Sequence, residues 1–292
     1  MSQPDANAVN AAVPMAETAP KLHAGFLKNN LREYGMLISL VAIMVLFQVL
    51  TDGTLLRPLN LTNLLLQNSY VVIMALGMLL VIVAGHIDLS VGSVCGFIGA
   101  LAAVLMVEYE WHFVPTAIIS IAAGAVIGAA QGWFVAFRKI PSFIVTLAGM
   151  LVFKGLTLAL LAGQSVGPFP VEFQRLSSGF IPDPLGGDTL RITSLVVGAL
   201  AAAALVFFKL RGRAKLAAHG METEPYVFFL VKNLFFAAII LFFSYLLSTY
   251  KGLPNVLIVM AVLIVVYDFV TNRTTIGRRI YALGGNEKAA RL

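Results

Sequence analysis

Eight apolar runs, each long enough to approach or exceed the thickness of a lipid bilayer, constrain this 292-residue chain more than any other feature. A membrane-spanning helix needs about 20 mainly apolar residues, within a range of about 17–25. Charged residues make up 12% of the chain, whereas soluble domains carry about 25%. The sequence therefore predicts an all-α, polytopic transmembrane helix bundle of about eight spans. The runs cover residues 34–50, 64–84, 90–107, 114–135, 143–162, 191–208, 226–248 and 254–270.

The basic residues indicate how the predicted bundle is oriented. If the spans alternate from a cytoplasmic amino terminus, fourteen of the 20 Lys and Arg residues fall in loops on the cytoplasmic side and four fall outside. The other two, Lys154 and Lys232, fall within spans. Cytoplasmic loops of membrane proteins carry such an excess, so we expect both termini in the cytoplasm. Because the positive charges are spread between apolar runs rather than gathered on one face, we expect no nucleic-acid partner.

Three regions follow from this pattern. Residues 1–33, rich in Ala, Pro and Asn and without periodicity, are expected to form a disordered cytoplasmic tail. Residues 34–270 are expected to form the transmembrane domain, and residues 271–292 a cytoplasmic segment. The loop 163–190 should lie outside, where its four prolines make it irregular but not floppy. It could be a docking surface or a connector.

A polar island, Gly85–Ser93, separates the second and third runs. A carboxylate at the bilayer centre costs roughly 2.5–3.5 kcal/mol, so Asp88 lies either at the membrane rim or beside a water-filled path for ions or protons. In the structural interpretation, Asp88 or Ser90 caps the following helix by accepting a backbone N–H bond. Gly85 and Gly92 then let the chain turn sharply. The residue types favour the structural interpretation.

Residues typical of catalysis or metal binding do not form a recognisable motif. The chain has no P-loop, no H-E-x-x-H motif and no cluster of Cys and His. Its four histidines are scattered, and no Ser and His are spaced as a nucleophile and its base. We therefore expect no catalytic residue, no metal and no cofactor.

The last stretch of the chain predicts a short helix outside the bilayer. Gly284 and Gly285 are expected to break the chain, and Asn286 is a good N-cap residue. Glu287 suits the positive end of a helix dipole, and two alanines that follow favour helix. The segment is either a basic juxtamembrane stretch or a helix that a cytoplasmic partner binds.

Four segments of the chain resemble the membrane subunits of bacterial ABC importers for monosaccharides, the ribose/xylose/arabinose-type permeases. Their order and spacing cover most of residues 55–292, and the basic insert Arg211–Glu224 is most similar to the xylose or multiple-sugar branch. The segments are Leu59–Leu64, Gly85–Ser93, Ile140–Met150 with Lys154–Leu156, and Ile276–Leu292.

This resemblance implies a permease in the bacterial inner membrane that moves a monosaccharide such as xylose into the cytoplasm by alternating access. It implies a second permease copy forming a homodimer, cytoplasmic ATPase subunits that hydrolyse ATP, and a periplasmic sugar-binding protein. Because family members continue into further spans, it also implies that the family domain is truncated at Leu292. The residues expected to contact the ATPase are Gly284, Gly285, Asn286, Glu287, Ala289 and Ala290.

A sugar is neutral, so its path should offer hydroxyl and amide partners. Gln67, Asn68, Ser69 and Gln131 lie on membrane segments and are candidates, although each could equally hold helices together. Lys154 lies midway along the fifth run, where an ammonium group needs a partner or water. Path and packing roles both remain open for it. The alternative function is a stand-alone ion- or proton-coupled transporter, which needs intramembrane ionisable residues and internal repeats; an intramembrane scaffold or enzyme is a third possibility.

Overall fold

The computed structural model describes residues 24–186, 190–221 and 224–290. Within these ranges the chain forms eleven α-helices, and the one β-type pairing is an isolated bridge between Phe180 and Pro254. The predicted all-α class is therefore confirmed. The helices are α1 (Ala24–Leu50), α2 (Pro58–Val83), α3 (Val91–Ala103), α4 (Phe113–Ala136), α5 (Ser142–Leu160), α6 (Val171–Ser177), α7 (Ile192–Ala218), α8 (Tyr226–Ser248), α9 (Asn255–Arg273), α10 (Thr275–Gly285) and α11 (Glu287–Ala290).

Seven of the helices in the described part of the chain are long and apolar enough to cross a membrane. They are α2, α3 with the turn that follows it, α4, α5, α7, α8 and α9. The first predicted run, 34–50, lies in α1, whose described apolar part is the shorter stretch Ile38–Leu50. Helix α1 begins at Ala24, inside the predicted tail; residues 1–23 lie outside the described ranges. The prediction of about eight spans agrees with this arrangement.

The chain divides into two compact units at Leu56. In the first unit, α1 is followed by a turn in which Asp52 and Gly53 have positive φ. The side-chain oxygen of Gln48 accepts a hydrogen bond from the Leu56 amide at 3.1 Å. In the second unit, α3 packs against α5 and α4, α2 packs against α9 and α8, and α7 packs mainly against α8.

The interior of the second unit combines small and hydroxylated residues with a few larger apolar ones such as Leu247 and Val256, while most large apolar side chains lie on its surface. This inverts the pattern of a water-soluble protein and suits lipid, where small residues let helices approach and hydroxyl groups bond across them. Gly198 of α7, for example, lies directly against Ser244 of α8, and the Ser244 hydroxyl donates to the Ser194 carbonyl at 2.7 Å. Among the described residues, the largest fully buried side chains are those of Thr62, Ser90, Thr116, Ser194, Ser248 and Pro254.

Helix α3 does not end as an α-helix but closes with a π-helical turn, Val104–Glu108. The Tyr109 amide donates to the Val104 carbonyl at 3.1 Å, and the Trp111 amide donates to the Leu105 carbonyl at 2.9 Å. A π turn widens the helix by one residue and is common at functional sites.

The helices of the second unit run back and forth between two ends. We call one the island end: it holds residues 84–90 after α2, residues 137–141 between α4 and α5, and α10. The opposite end holds residues 109–112, α6 and residues 249–254.

Candidate coupling and transport site

The polar island is a compact turn built around Asp88. Gly85 has φ of +82°, a left-handed conformation that glycine adopts without steric cost, and it lets the chain leave α2. The Asp88 Oδ1 atom accepts two hydrogen bonds from Ser90, one from its amide at 2.7 Å and one from its hydroxyl at 2.6 Å. Asp88 thus makes the backbone bond expected of a turn residue. The Ser90 side chain makes no capping bond, and Gly92 lies inside α3 rather than at the turn.

Ser90 links the island to α4. Its hydroxyl is fully buried and accepts a hydrogen bond from the Gln131 side-chain amide at 3.0 Å. A hydroxyl has one proton, and the 2.6 Å contact to Asp88 uses it. Gly149 of α5 leaves the space for this arrangement, because a Cβ atom at Gly149 would overlap the Gln131 amide nitrogen. Three helices therefore converge on one partly buried chain of hydrogen bonds, with Ser90 at its centre.

The island is also bonded to the start of α5. The Ser142 hydroxyl accepts a hydrogen bond from the Ile87 amide at 3.2 Å. The Thr146 hydroxyl lies 3.4 Å from the Ile87 carbonyl and 2.9 Å from the Ser142 carbonyl. These contacts fix the position of the island against the segment 140–150, so two of the four segments that carry the family resemblance are adjacent in space.

A cavity of about 1170 Å³ opens at the island end. Its walls come from the end of α2 and the island, from α4 and the following segment to α5, and from α10 and α11. The described part of a third segment of the resemblance, residues 276–290, therefore meets the other two here. The polar and charged residues lining the cavity are His86, Asp88, Gln131, Lys139, Ser142, Thr146 and Glu287.

Helix α10 was not predicted from the sequence. It begins after Thr274, whose hydroxyl accepts a hydrogen bond from the Gly277 amide at 3.3 Å. The sequence signal was present: a threonine N-cap precedes apolar residues at helical spacing, Ile276, Ile280 and Leu283. Gly277 packs on the carbonyl groups at the end of α9, so α10 folds back directly after α9.

The predicted helix start at Asn286 is confirmed. Its side-chain oxygen accepts a hydrogen bond from the Ala289 amide at 3.1 Å, and α11 follows. The expected break at Gly284 and Gly285 is wrong, because both lie in the last turn of α10 and the chain bends at Asn286 instead. Gly284 lies against the carbonyl oxygen of Val83. Residues 281–290 are all exposed.

The remaining path candidates lie away from this cavity. Gln67 and Asn68 are exposed on α2, and the Asn68 amide donates to the Leu64 carbonyl at 2.9 Å. The neighbouring Ser69 is buried and bonds the carbonyl of Leu66 at 3.0 Å. Lys154 is exposed on α5 and has no ion pair within the described ranges. Of the five candidates for the sugar path, which are Gln67, Asn68, Ser69, Gln131 and Lys154, Gln131 alone lines the cavity.

At the opposite end, hydrogen bonds tie the proline-rich loop to the bundle. Asp183 Oδ1 accepts from the Thr193 amide at 3.1 Å and from the Thr193 hydroxyl at 2.6 Å, which caps α7. The bond from the Thr193 hydroxyl holds the pKa of Asp183 below its usual value. The Asn255 amide donates to the Arg175 carbonyl at 2.7 Å. These bonds tie the described part of the loop to the bundle at Arg175 and Asp183, in agreement with the expectation that it is irregular but not floppy.

Comparison with known proteins gives consistent matches along the chain. A family model described as "Branched-chain amino acid transport system / permease component" matches residues 60–292. The chain is 36% identical over 292 residues to the xylose transport system permease protein XylH of Escherichia coli K12, covering all of this chain and 71% of that protein. It is 38% identical over 266 residues to XylH of Haemophilus influenzae, covering 90% and 68%.

Shorter matches extend to other permeases. The ribose import permease protein RbsC of Escherichia coli K12 is 38% identical over 154 residues, covering 52% of this chain and 48% of that protein. No solved structure gives a significant match.

Proposed function

The chain belongs to the family of permease components that matches it over residues 60–292, and on that premise we propose that it imports a monosaccharide, with xylose the first candidate. It is a multi-pass protein of the bacterial inner membrane and a transporter component rather than an enzyme. The observation that carries the substrate proposal is the 36% identity to a xylose permease over the whole of this chain. The ribose permease matches about half of it, which supports a sugar of similar size.

The energy would come from ATPase subunits on separate chains, which bind the segment formed by α10 and α11. Gly284 faces Val83 and serves to hold the segment against α2. The exposed residues that follow are suited to contact a partner: Gly285, Asn286, Glu287, Ala289 and Ala290. Movement of the ATPase pair favours one of two arrangements of the permease and so shifts their populations.

The contacts at the island end offer a route for that shift. Displacing α10 displaces the end of α2 through Gly284 and Val83, and α2 leads directly into the island. The island is bonded to α4 through Ser90 and Gln131 and to α5 through Ile87 and Ser142. We infer that these bonds carry the motion to the helices around the cavity, which serves as the cytoplasmic exit for sugar.

We propose that the Gln131 side chain contacts the sugar. It lines the cavity and carries a neutral amide, which can both donate to and accept from hydroxyl groups. Asp88 has a structural task, since one of its oxygens holds Ser90. That bonding supports the structural interpretation of Asp88 over a role in a path for ions or protons. A second permease copy and a periplasmic sugar-binding protein complete the proposed assembly.

Reconstituted vesicles test the proposal. The protein is reconstituted with a candidate P-loop ATPase and a candidate secreted sugar-binding protein from the same organism, and uptake of radiolabelled xylose, ribose and glucose is measured. We expect uptake that requires ATP on the side of the vesicle membrane where the ATPase is bound, and the binding protein on the opposite side. Uptake driven by an ion gradient in the absence of the ATPase would refute the importer, and ATP-driven uptake of an amino acid instead of a sugar would refute the substrate class.

A further inference from the structure

The hairpin of α7 and α8 ends in a cluster of cations. Helix α7 is 27 residues long, but its apolar part is residues 192–208. The last three turns carry four basic residues, Lys209, Arg211, Arg213 and Lys215. The charge distribution used to orient the bundle places this end on the cytoplasmic side.

The packing of the hairpin fixes which part of α8 lies beside these cations. The Ser244–Ser194 hydrogen bond sets the two helices antiparallel. At the other end of the pair, the Arg213 guanidinium lies 5.5 Å from the centre of the Tyr226 ring and 5.0 Å from that of Phe229. The basic end of α7 therefore lies alongside the first turn of α8.

The membrane boundary can be located from Lys232. This residue lies inside α8, and its Nζ atom bonds both carboxylate oxygens of Glu224, at 2.8 and 2.9 Å, eight residues nearer the hairpin turn. Lysines near the end of a span extend their charge toward the interface in this way. The 17 apolar residues of α7 span about 25 Å at 1.5 Å per residue, close to the roughly 30 Å of hydrocarbon. Both helices therefore place the boundary near Lys209 and Lys232.

Beyond that boundary, apolar side chains are exposed beside the cations. Tyr226 is 60% exposed, Val227 72% and Met221 51%. Such side chains are costly in water but suit the level of the lipid headgroups, where Tyr is enriched. The surface therefore combines positive charge with apolar groups at one depth.

Three of the cations have no bonding partner among the described residues of the protein. Arg213 donates to the Glu224 carbonyl at 2.5 Å and lies over two rings, and Lys232 is paired with the Glu224 carboxylate. Lys209, Arg211 and Lys215 make no ion pair and no side-chain hydrogen bond with any residue in the described ranges. Their charges are free to attract an anion.

We propose that the hairpin patch, formed by Lys209, Arg211, Lys215 and Tyr226, binds the headgroups of anionic phospholipids in the cytoplasmic leaflet. Each Lys or Arg near such a surface strengthens binding roughly fivefold. A membrane lipid fits better than an acidic protein surface because the cations lie at headgroup depth and adjoin exposed apolar side chains. This inference goes beyond the transport function, since it holds whatever the chain transports.

The test measures lipid retention by the purified full chain. Native mass spectrometry of the permease in mixed phosphatidylglycerol and phosphatidylcholine nanodiscs gives the ratio of the two lipids bound. We expect the wild type to favour phosphatidylglycerol and K209Q/R211Q/K215Q to lose that preference by on the order of 100-fold. The conservative variant K209R/R211K/K215R should retain it. The matched control R57Q/R175Q/K251Q removes the same charge at the opposite end and should also retain it.

Equal retention of both lipids by the wild type would overturn the proposal. An unchanged preference in K209Q/R211Q/K215Q would overturn it as well. If that variant also lost ATPase co-purification, the patch would be assigned to a protein partner. Inorganic phosphate separates a lipid site from a simple phosphate site. We expect phosphatidylglycerol to stay bound in excess inorganic phosphate, and its complete displacement at matched ionic strength would overturn the proposal.

Discussion

Gly284 of α10 lies so close to the carbonyl oxygen of Val83, the last residue of α2, that a methyl group on Gly284 would overlap that oxygen. The neighbouring Gly285 has nothing within 4 Å of the position where its Cβ would stand. Two adjacent glycines therefore have different tasks: one allows close packing of α10 on α2, and the other lies free on the surface proposed to meet the ATPase.

We predict opposite effects of alanine at these two positions. Gly284→Ala should destabilise the solubilised permease by about 1–3 kcal/mol, because α10 must move away from α2, and ATP-driven uptake should fall with it. Gly285→Ala should raise stability slightly, since alanine favours helix over glycine by up to about 1 kcal/mol. Thermal unfolding of both variants in detergent checks this. Equal melting temperatures would mean that the contact with Val83 is easily relaxed.

The Gln131 amide occupies the space that Gly149 leaves free. Gly149→Ala should therefore force the amide away from Ser90 and break its bond to the Ser90 hydroxyl, which keeps its bond to Asp88, at a cost of about 0.5–1.5 kcal/mol. In a Gln131→Ala background the same change should cost much less, so the two changes are coupled. A double-mutant cycle of thermal stabilities measures the coupling. Gly155→Ala on the same helix is the control, because nothing lies within 4 Å of its Cβ position. Additive effects of the two changes would contradict the arrangement.

Some of this site could be predicted from the sequence. The apolar runs predicted the spans, because a helix in lipid must form all its backbone hydrogen bonds internally and present apolar side chains to the lipid. The turn at Gly85 and the Asn286 cap are local events set by one or two residues. The partnership of Ser90 with Gln131, 41 positions apart, is tertiary, and no spacing rule reveals it. Nor does any pattern show that Gly149 makes room for Gln131, since a glycine within an apolar run is equally compatible with open space.

Asp183 should make stability depend on pH. The Thr193 hydroxyl bond lowers the pKa of Asp183 from its usual 3.8, so its contribution is present above pH 3.8 and is lost as pH falls through the lower, folded-state pKa. We expect Asp183→Asn to reduce the melting temperature at pH 6 and the difference from wild type to shrink below about pH 3.8. Glu172→Gln, in the same loop, is the control for general acid effects. If the difference in melting temperature between Asp183→Asn and wild type stays constant with pH, the charge of Asp183 makes no contribution to stability.

Substitutions in the segment formed by α10 and α11 should weaken binding of the ATPase without impairing insertion of the permease into the membrane. Glu287→Arg reverses a charge on the exposed end of the chain, and Gly285→Pro removes a backbone donor from the last turn of α10. We expect each to weaken ATPase co-purification roughly tenfold while the amount of permease in the membrane fraction stays unchanged. Glu110→Arg makes the same charge change at the opposite end and should have no effect. Normal ATPase recovery with both coupling variants would disprove the assigned contact.

The π-helical turn at Val104–Glu108 has an evolutionary consequence. Such a turn contains one residue more than the α-helical path between the same two points. A homologue lacking a single residue here could continue as a regular α-helix, so the loss of one codon would be accommodated without breaking the span. Because the two points stay where they are, the residues that follow would keep their direction around the helix axis. Length variation of one residue at this point would therefore leave the direction of Trp111 and the bundle below it unchanged.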